Sequence, residues 1–127
     1  MRGVLVDTSV WVDHFRYRNE VLSALLTSDA VMIHPMIVLE IACGTPPAPR
    51  ARTLDSLTSL RKVQQATQHE VFFLIEEEQL YGLGCGLVDM TLLASTRMTP
   101  ETRLWTLDER LAALADRLDI LYRPALN

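Results

Sequence analysis

Apolar residues recur along the chain in two different periods, and the alternation between them predicts the architecture. Val4-Leu5-Val6 is a short aliphatic run that ends at a charge, Asp7, as a buried strand does. Asp7-Thr8-Ser9 then supplies capping side chains for a helix beginning near Val10. Over residues 19–26, Val21, Leu22, Leu25 and Leu26 fall at helical spacing, Ser28-Asp29 closes the segment, and 30–33 predicts a second strand. Pro35 suits the first turn of a further helix, which carries Met36, Leu39, Glu40 and Cys43 and stops at Gly44.

The second half repeats this alternation. Thr45-Pro46-Pro47-Ala48-Pro49 is a stiff loop, and a helix over 50–63 turns Leu54, Leu57 and Leu60 inward. A helix over 68–80 buries Val71, Leu74, Ile75 and Leu80 while Glu76, Glu77 and Glu78 face water. Gly82, Gly84 and Gly86 superficially suggest a phosphate loop, but they follow a helix rather than a strand, so the dinucleotide-binding reading fails. Asp89 stands near the start of the next helix, which contains Leu92, Leu93 and Met98. Arg103-Leu104-Trp105-Thr106 reads as a strand, Leu107-Asp108 as a turn, 109–118 as a helix, and 120–122 as a last strand. Strands alternating with helices predict an α/β fold with a parallel sheet covered on both faces and ligands at the carboxyl ends of its strands. Asp7 and Asp108 occupy such ends.

Composition narrows the class. A chain of 127 residues predicts one domain over 1–127, and 49% apolar with 22% charged residues is the balance of a folded protein. No apolar stretch approaches the roughly 20 residues of a membrane helix. The amino-terminal apolar run breaks at Asp7, unlike a secretory signal, so a cytoplasmic protein is expected. Cys43 and Cys85 lack disulfide or zinc spacing and read as buried free thiols. The net charge of −4 argues against broad adhesion to nucleic acid, unless several acids gather around a divalent cation. Eleven arginines against the single Lys62 suit contact with phosphate.

The candidate chemistry rests on Asp7, Glu40, Asp89 and Asp108, each of which interrupts or borders an apolar segment. Asp7, Asp89 and Asp108 also suit ordinary helix caps. Glu40, flanked by Ile37, Val38, Leu39, Ile41 and Ala42, predicts a buried carboxylate, which is costly unless a metal or an arginine relieves it. Acids converging at a sheet end repel each other and become mutually tolerable around Mg²⁺ or Mn²⁺, an arrangement suited to phosphodiester hydrolysis. His14, His34 and His69 are scattered and read as structural, and Asp13 reads as a partner of Arg16.

Together these segments carry a resemblance. Val6-Asp7-Thr8-Ser9-Val10-Trp11-Val12-Asp13, Leu39-Glu40-Ile41-Ala42-Cys43-Gly44, Val88-Asp89-Met90-Thr91-Leu92-Leu93-Ala94-Ser95 and Leu104-Trp105-Thr106-Leu107-Asp108 resemble the PIN domain in its VapC toxin branch, over nearly the whole chain. The resemblance implies a three-layer α/β/α fold, Mg²⁺- or Mn²⁺-dependent endoribonuclease activity, a VapB-type antitoxin as partner, and a homodimer. Carried over by motif, Asp7, Glu40, Asp89 and Asp108 are the catalytic acids and Asp7, Asp89 and Asp108 the metal ligands. Thr8, Ser9 and Thr106 support the acids through hydrogen bonds. Two competing functions share the acidic pocket: a receiver-like phosphoacceptor domain, which customarily needs a lysine opposite its aspartate, and a non-catalytic domain that binds a partner's arginine.

Overall fold

The computed structural model describes residues 3–124. The first strand, β1 (Gly3–Val6), is buried along its whole length, which explains why Val4-Leu5-Val6 is uninterrupted by polar residues. Helices α1 (Thr8–Tyr17) and α2 (Glu20–Thr27) lead to β2 (Val31–Ile33), and α3 (Pro35–Cys43) and α4 (Arg50–Thr58) lead to β3 (Arg61–Lys62). Helices α5 (Gln68–Glu78) and α6 (Leu87–Met98) precede β4 (Thr102–Trp105), and α7 (Glu109–Arg117) follows it. The strands pair in the order β3-β2-β1-β4, all parallel, within a three-layer α/β/α arrangement.

Parallel pairing places the carboxyl ends of all four strands on one edge of the sheet. The order also reverses direction at β1: β2 and β3 lie on one side of it and β4 on the other. In open parallel sheets such a reversal opens a crevice at the strand ends where ligands bind. The register pairs Val6 with Trp105, so Asp7 and Thr106 leave the sheet side by side. One buried cluster, with Leu5, Ile33, Leu92, Leu93, Leu104 and Leu111 among its largest members, holds this edge in place.

The expected helix over 50–63 ends earlier, at Thr58. The backbone turns there, with the Ser59 amide donating to Asp55 and the Leu60 amide to Leu57, and Arg61 and Lys62 then pair with Met32 and Ile33. Leu57 and Val63 are buried and Leu60 half-buried on both sides of the change, so the three-residue spacing persists and conceals the boundary. The expected strand over 120–122 is a single bridge between Leu104 and Leu121, framed by the bonds Leu104 N to Ile120 O and Tyr122 N to Leu104 O. Neither thiol is buried as expected: Cys43 is exposed at the end of α3 and Cys85 half-buried ahead of α6, and both are free.

Candidate active site

Asp7 extends the ladder by one bond, its amide donating to Trp105 O at 2.9 Å. It occupies the N-cap position of α1, yet its side chain makes no capping bond. The carboxylate, 7% exposed, instead accepts the Ser9 hydroxyl at 2.7 Å and the Thr106 hydroxyl at 2.8 Å. The web continues backwards, since the Leu107 amide donates to Ser9 Oγ and the Asp108 amide to Thr106 Oγ1, each at 3.0 Å. A buried carboxylate carries a heavy desolvation cost without such donors. Two hydroxyls therefore tie the acid that ends β1 to the turn that follows β4.

Asp108 and Asp89 are held by helix starts. Asp108 caps α7, accepting the Leu111 amide on Oδ1 at 3.0 Å. Asp89, in the first turn of α6, accepts the Gly86 amide on Oδ2 at 3.4 Å. Burial pushes the Asp89 carboxyl above the usual carboxylate range; the Gly86 amide pulls against this, the fields of Asp7 and Asp108 add to it, and the Cys85 thiol pulls back. Asp89 thus lies within the fields of both Asp7 and Asp108. Burial likewise raises the Cys85 thiol, helped by Asp89 and Asp108 and opposed by Arg110.

Glu40 departs from expectation. It lies on an exposed face of α3, and its Oε1 accepts the Thr8 hydroxyl at 2.6 Å. The apolar neighbours that suggested burial are divided around the helix: Ile37 and Ile41 face the core, whereas Leu39 is 63% exposed. The link still ties Glu40 to the residue after Asp7. Each of the three hydroxyl residues expected from the sequence therefore donates to an acid, Thr8 to Glu40 and Ser9 and Thr106 to Asp7.

Other expectations resolve around this site. Asp13 accepts from Asn19 Nδ2 at 3.2 Å rather than pairing with Arg16, which fixes it at the junction of α1 and α2. His14 accepts the Asn19 amide and His34 the Met36 amide, both structural roles. Lys62 lies on β3 at the outer edge of the sheet and donates to Thr58 O, so no lysine faces Asp7 as a phosphoacceptor domain requires. Cys85, read from the sequence only as a free thiol, lies within reach of Asp89, and Arg110, not singled out there, acts on Cys85. The signal available for them was the Gly82/Gly84/Gly86 spacing, which lets backbone approach the start of α6 closely.

The donor set suits a hard divalent cation. Asp7, Glu40, Asp89 and Asp108 offer only oxygen, and none of them takes part in an ion pair among the described residues. No three His, Cys, Asp or Glu side chains among those residues are close enough to chelate an ion directly. Mg²⁺ commonly takes only one or two protein carboxylates and keeps several waters, so a cluster of this looseness matches a hydrated ion.

No family profile matches the chain. Among curated proteins, the Ribonuclease VapC32 of two Mycobacterium tuberculosis strains is 40% identical over 110 residues, which is 87% of this chain and 88% of the relative. The aligned share exceeds what the acidic motifs alone span, and the parallel sheet places Asp7 and Asp108 at one edge. The chain belongs to the VapC family of PIN-domain ribonucleases.

Proposed function

We propose that the protein is a Mg²⁺- or Mn²⁺-dependent endoribonuclease acting as the toxin of a type II toxin–antitoxin pair, with Asp7, Glu40, Asp89 and Asp108 as its catalytic acids. The observation that carries the reading is that Asp89 lies within the fields of Asp7 and Asp108, which leave the carboxyl edge of the sheet beside each other, and that among the described residues no cation pairs with any of the three. A hydrated divalent ion taken up at Asp7, Asp89 and Asp108, partly through its waters, would supply acidification of water and neutralisation of charge at phosphorus.

The chain's own residues prepare that chemistry. Ser9 and Thr106 fix the Asp7 carboxylate in one orientation, and the α6 and α7 starts do the same for Asp89 and Asp108. Thr8 occupies Oε1 of Glu40, leaving Oε2 to accept a proton from the attacking water. A VapB-type antitoxin, RNA as substrate and a homodimer belong to the same proposal. A cleft of about 650 Å³ lined by Trp11, Phe15, Arg52 and Leu57 supports the first. The exposed Phe72 and Leu87, which line one cleft with Met36, support the last.

Expression of the wild type and Asp7→Asn in a bacterial host, with total RNA resolved on gels, tests the reading. Growth arrest with discrete fragments from the wild type alone is expected. Fragments of equal yield from both would sink the assignment of the acids, and no fragments from either would favour a binding role.

A further inference from the structure

The carboxylate cluster poses a problem for a polyanionic substrate, because several acids share one edge and the molecule is negative overall. A nucleic-acid site needs cationic contacts to the phosphates that flank the reacting one. Among the described residues, only Arg16, Arg52 and Arg110 of the arginines make no hydrogen bond or ion pair. Arg52 lines the cleft beside Trp11, and Arg16 is exposed on α1. Arg110, exposed in the first turn of α7, is the one whose field reaches Cys85, which is also within the fields of Asp89 and Asp108.

A guanidinium beside carboxylates ordinarily closes a forked salt bridge onto one of them. Arg110 does not. Its end lies across the backbone of Gly84: a Cβ built there would meet Nη1 at 2.7 Å, Cδ at 3.0 Å and Cζ at 3.2 Å. Gly84 also has φ +87°, a conformation that side-chain-bearing residues rarely adopt. The missing side chain therefore makes a berth that holds the guanidinium against Gly84, within electrostatic reach of Cys85, with its donors unspent among the described residues.

We propose that Arg110, berthed on Gly84, binds a phosphate of the RNA flanking the one that is cleaved. The inference rests on the ribonuclease reading and adds a substrate-binding residue to it. Arg110 fixes where the strand lies, and the acids act on the phosphate beside it.

Two measurements test this on the full chain. The first is binding of a labelled single-stranded RNA to the Asp89→Asn protein in Mg²⁺, with and without Arg110→Gln, over a salt series. Loss of one phosphate contact on a single strand lowers the slope of log affinity against log salt by about 0.7. Arg110→Gln is expected to show that drop with a several-fold weaker affinity, and Arg110→Lys to keep the slope. Gly84→Ala, which dislodges the guanidinium while leaving its charge, is expected to weaken binding in the same direction. The second is cleavage kinetics in the otherwise native protein, where Arg110→Gln is expected to raise KM several-fold with kcat within about twofold.

Unchanged affinity and slope in Arg110→Gln, with wild-type cleavage intact, overturn the assignment alone. A fall in kcat at constant KM overturns it as well, since Arg110 then serves the chemical step. Absence of both RNA binding and cleavage in the wild type overturns the ribonuclease reading itself.

Discussion

Asp7 and Asp89 show two ways of keeping a carboxylate in a partly dry site. Asp7 receives two hydroxyls on one oxygen, whereas Asp89 receives one long amide bond and faces two other acids. Its carboxyl is raised by burial first, so in the folded protein without metal its ionised form is disfavoured relative to the unfolded chain. The linkage then has a definite sign. A raised acid contributes stability below its unfolded pKa, and that contribution is lost as pH rises through the folded value. At pH 7 without divalent ions the ionised Asp89 therefore destabilises the fold. Asp89→Asn, which keeps an oxygen for the Gly86 amide, is expected to raise the melting temperature under those conditions, modestly because solvent screens a half-exposed carboxylate. The gain should shrink as pH falls below the unfolded Asp value of about 3.9, where wild-type Asp89 becomes protonated in both states; a gain equal at pH 7 and well below that value removes the electrostatic explanation. This tension was legible in the sequence only as a set of acids beside apolar runs. The solvent exposure of Glu40 was not, because it depends on which side of α3 meets the core, and neither was Arg110, whose place depends on a contact across 26 positions of chain to Gly84.

The elements carry the same division between local and non-local information. Helices α1, α2, α3, α5, α6 and α7 were readable because their apolar spacing is local, and the cap at Asp108 was readable with it, whereas the caps at Asn19 and Thr67 come from the structure. Strand β3 was not, since Arg61 and Lys62 are exposed and owe their extended form to pairing with Met32 and Ile33. Helix α3, which carries Glu40, depends on an unusual cap: His34 is 3% exposed, its Nδ1 accepts the Met36 amide at 3.0 Å, and its Nε2 is buried without a partner among the described residues. Only neutral His34 can accept at Nδ1, and burial holds its pKa below the ordinary histidine value. The unfolded chain therefore binds this proton more readily, and stability present above about pH 6.5 declines as pH falls through that value. His34→Asn retains an N-cap acceptor that does not titrate. Urea unfolding at pH 7 and pH 5 should show a larger loss in the wild type than in the variant, by roughly 0.5–2 kcal/mol, the usual worth of a cap. Parallel losses in the two proteins would show that His34 does not report the pH dependence.

At the scale of the whole molecule, a chain of net charge −4 gathers acids at one edge of a parallel sheet whose buried strands cannot spread to relieve them. The packed core opposes their mutual repulsion, so a ligand that cancels the repulsion should stabilise the entire fold and not the loop alone. Stabilisation by a ligand that binds only the folded state grows as the logarithm of its concentration, about 1.4 kcal/mol per tenfold excess over Kd. For a domain of this size that corresponds to roughly 4–7 °C. Melting curves in EDTA and in rising Mg²⁺ or Mn²⁺ should accordingly show a rise that starts near Kd and continues with each decade. A matched series in KCl separates general screening, which depends on ionic strength, from occupation of the site. The double variant Asp7→Asn with Asp89→Asn should start from a higher melting temperature in EDTA and respond weakly to the divalent ion. If the wild type and the double variant rise together, the ion acts on the surface at large, and Asp7 and Asp89 are not what holds it.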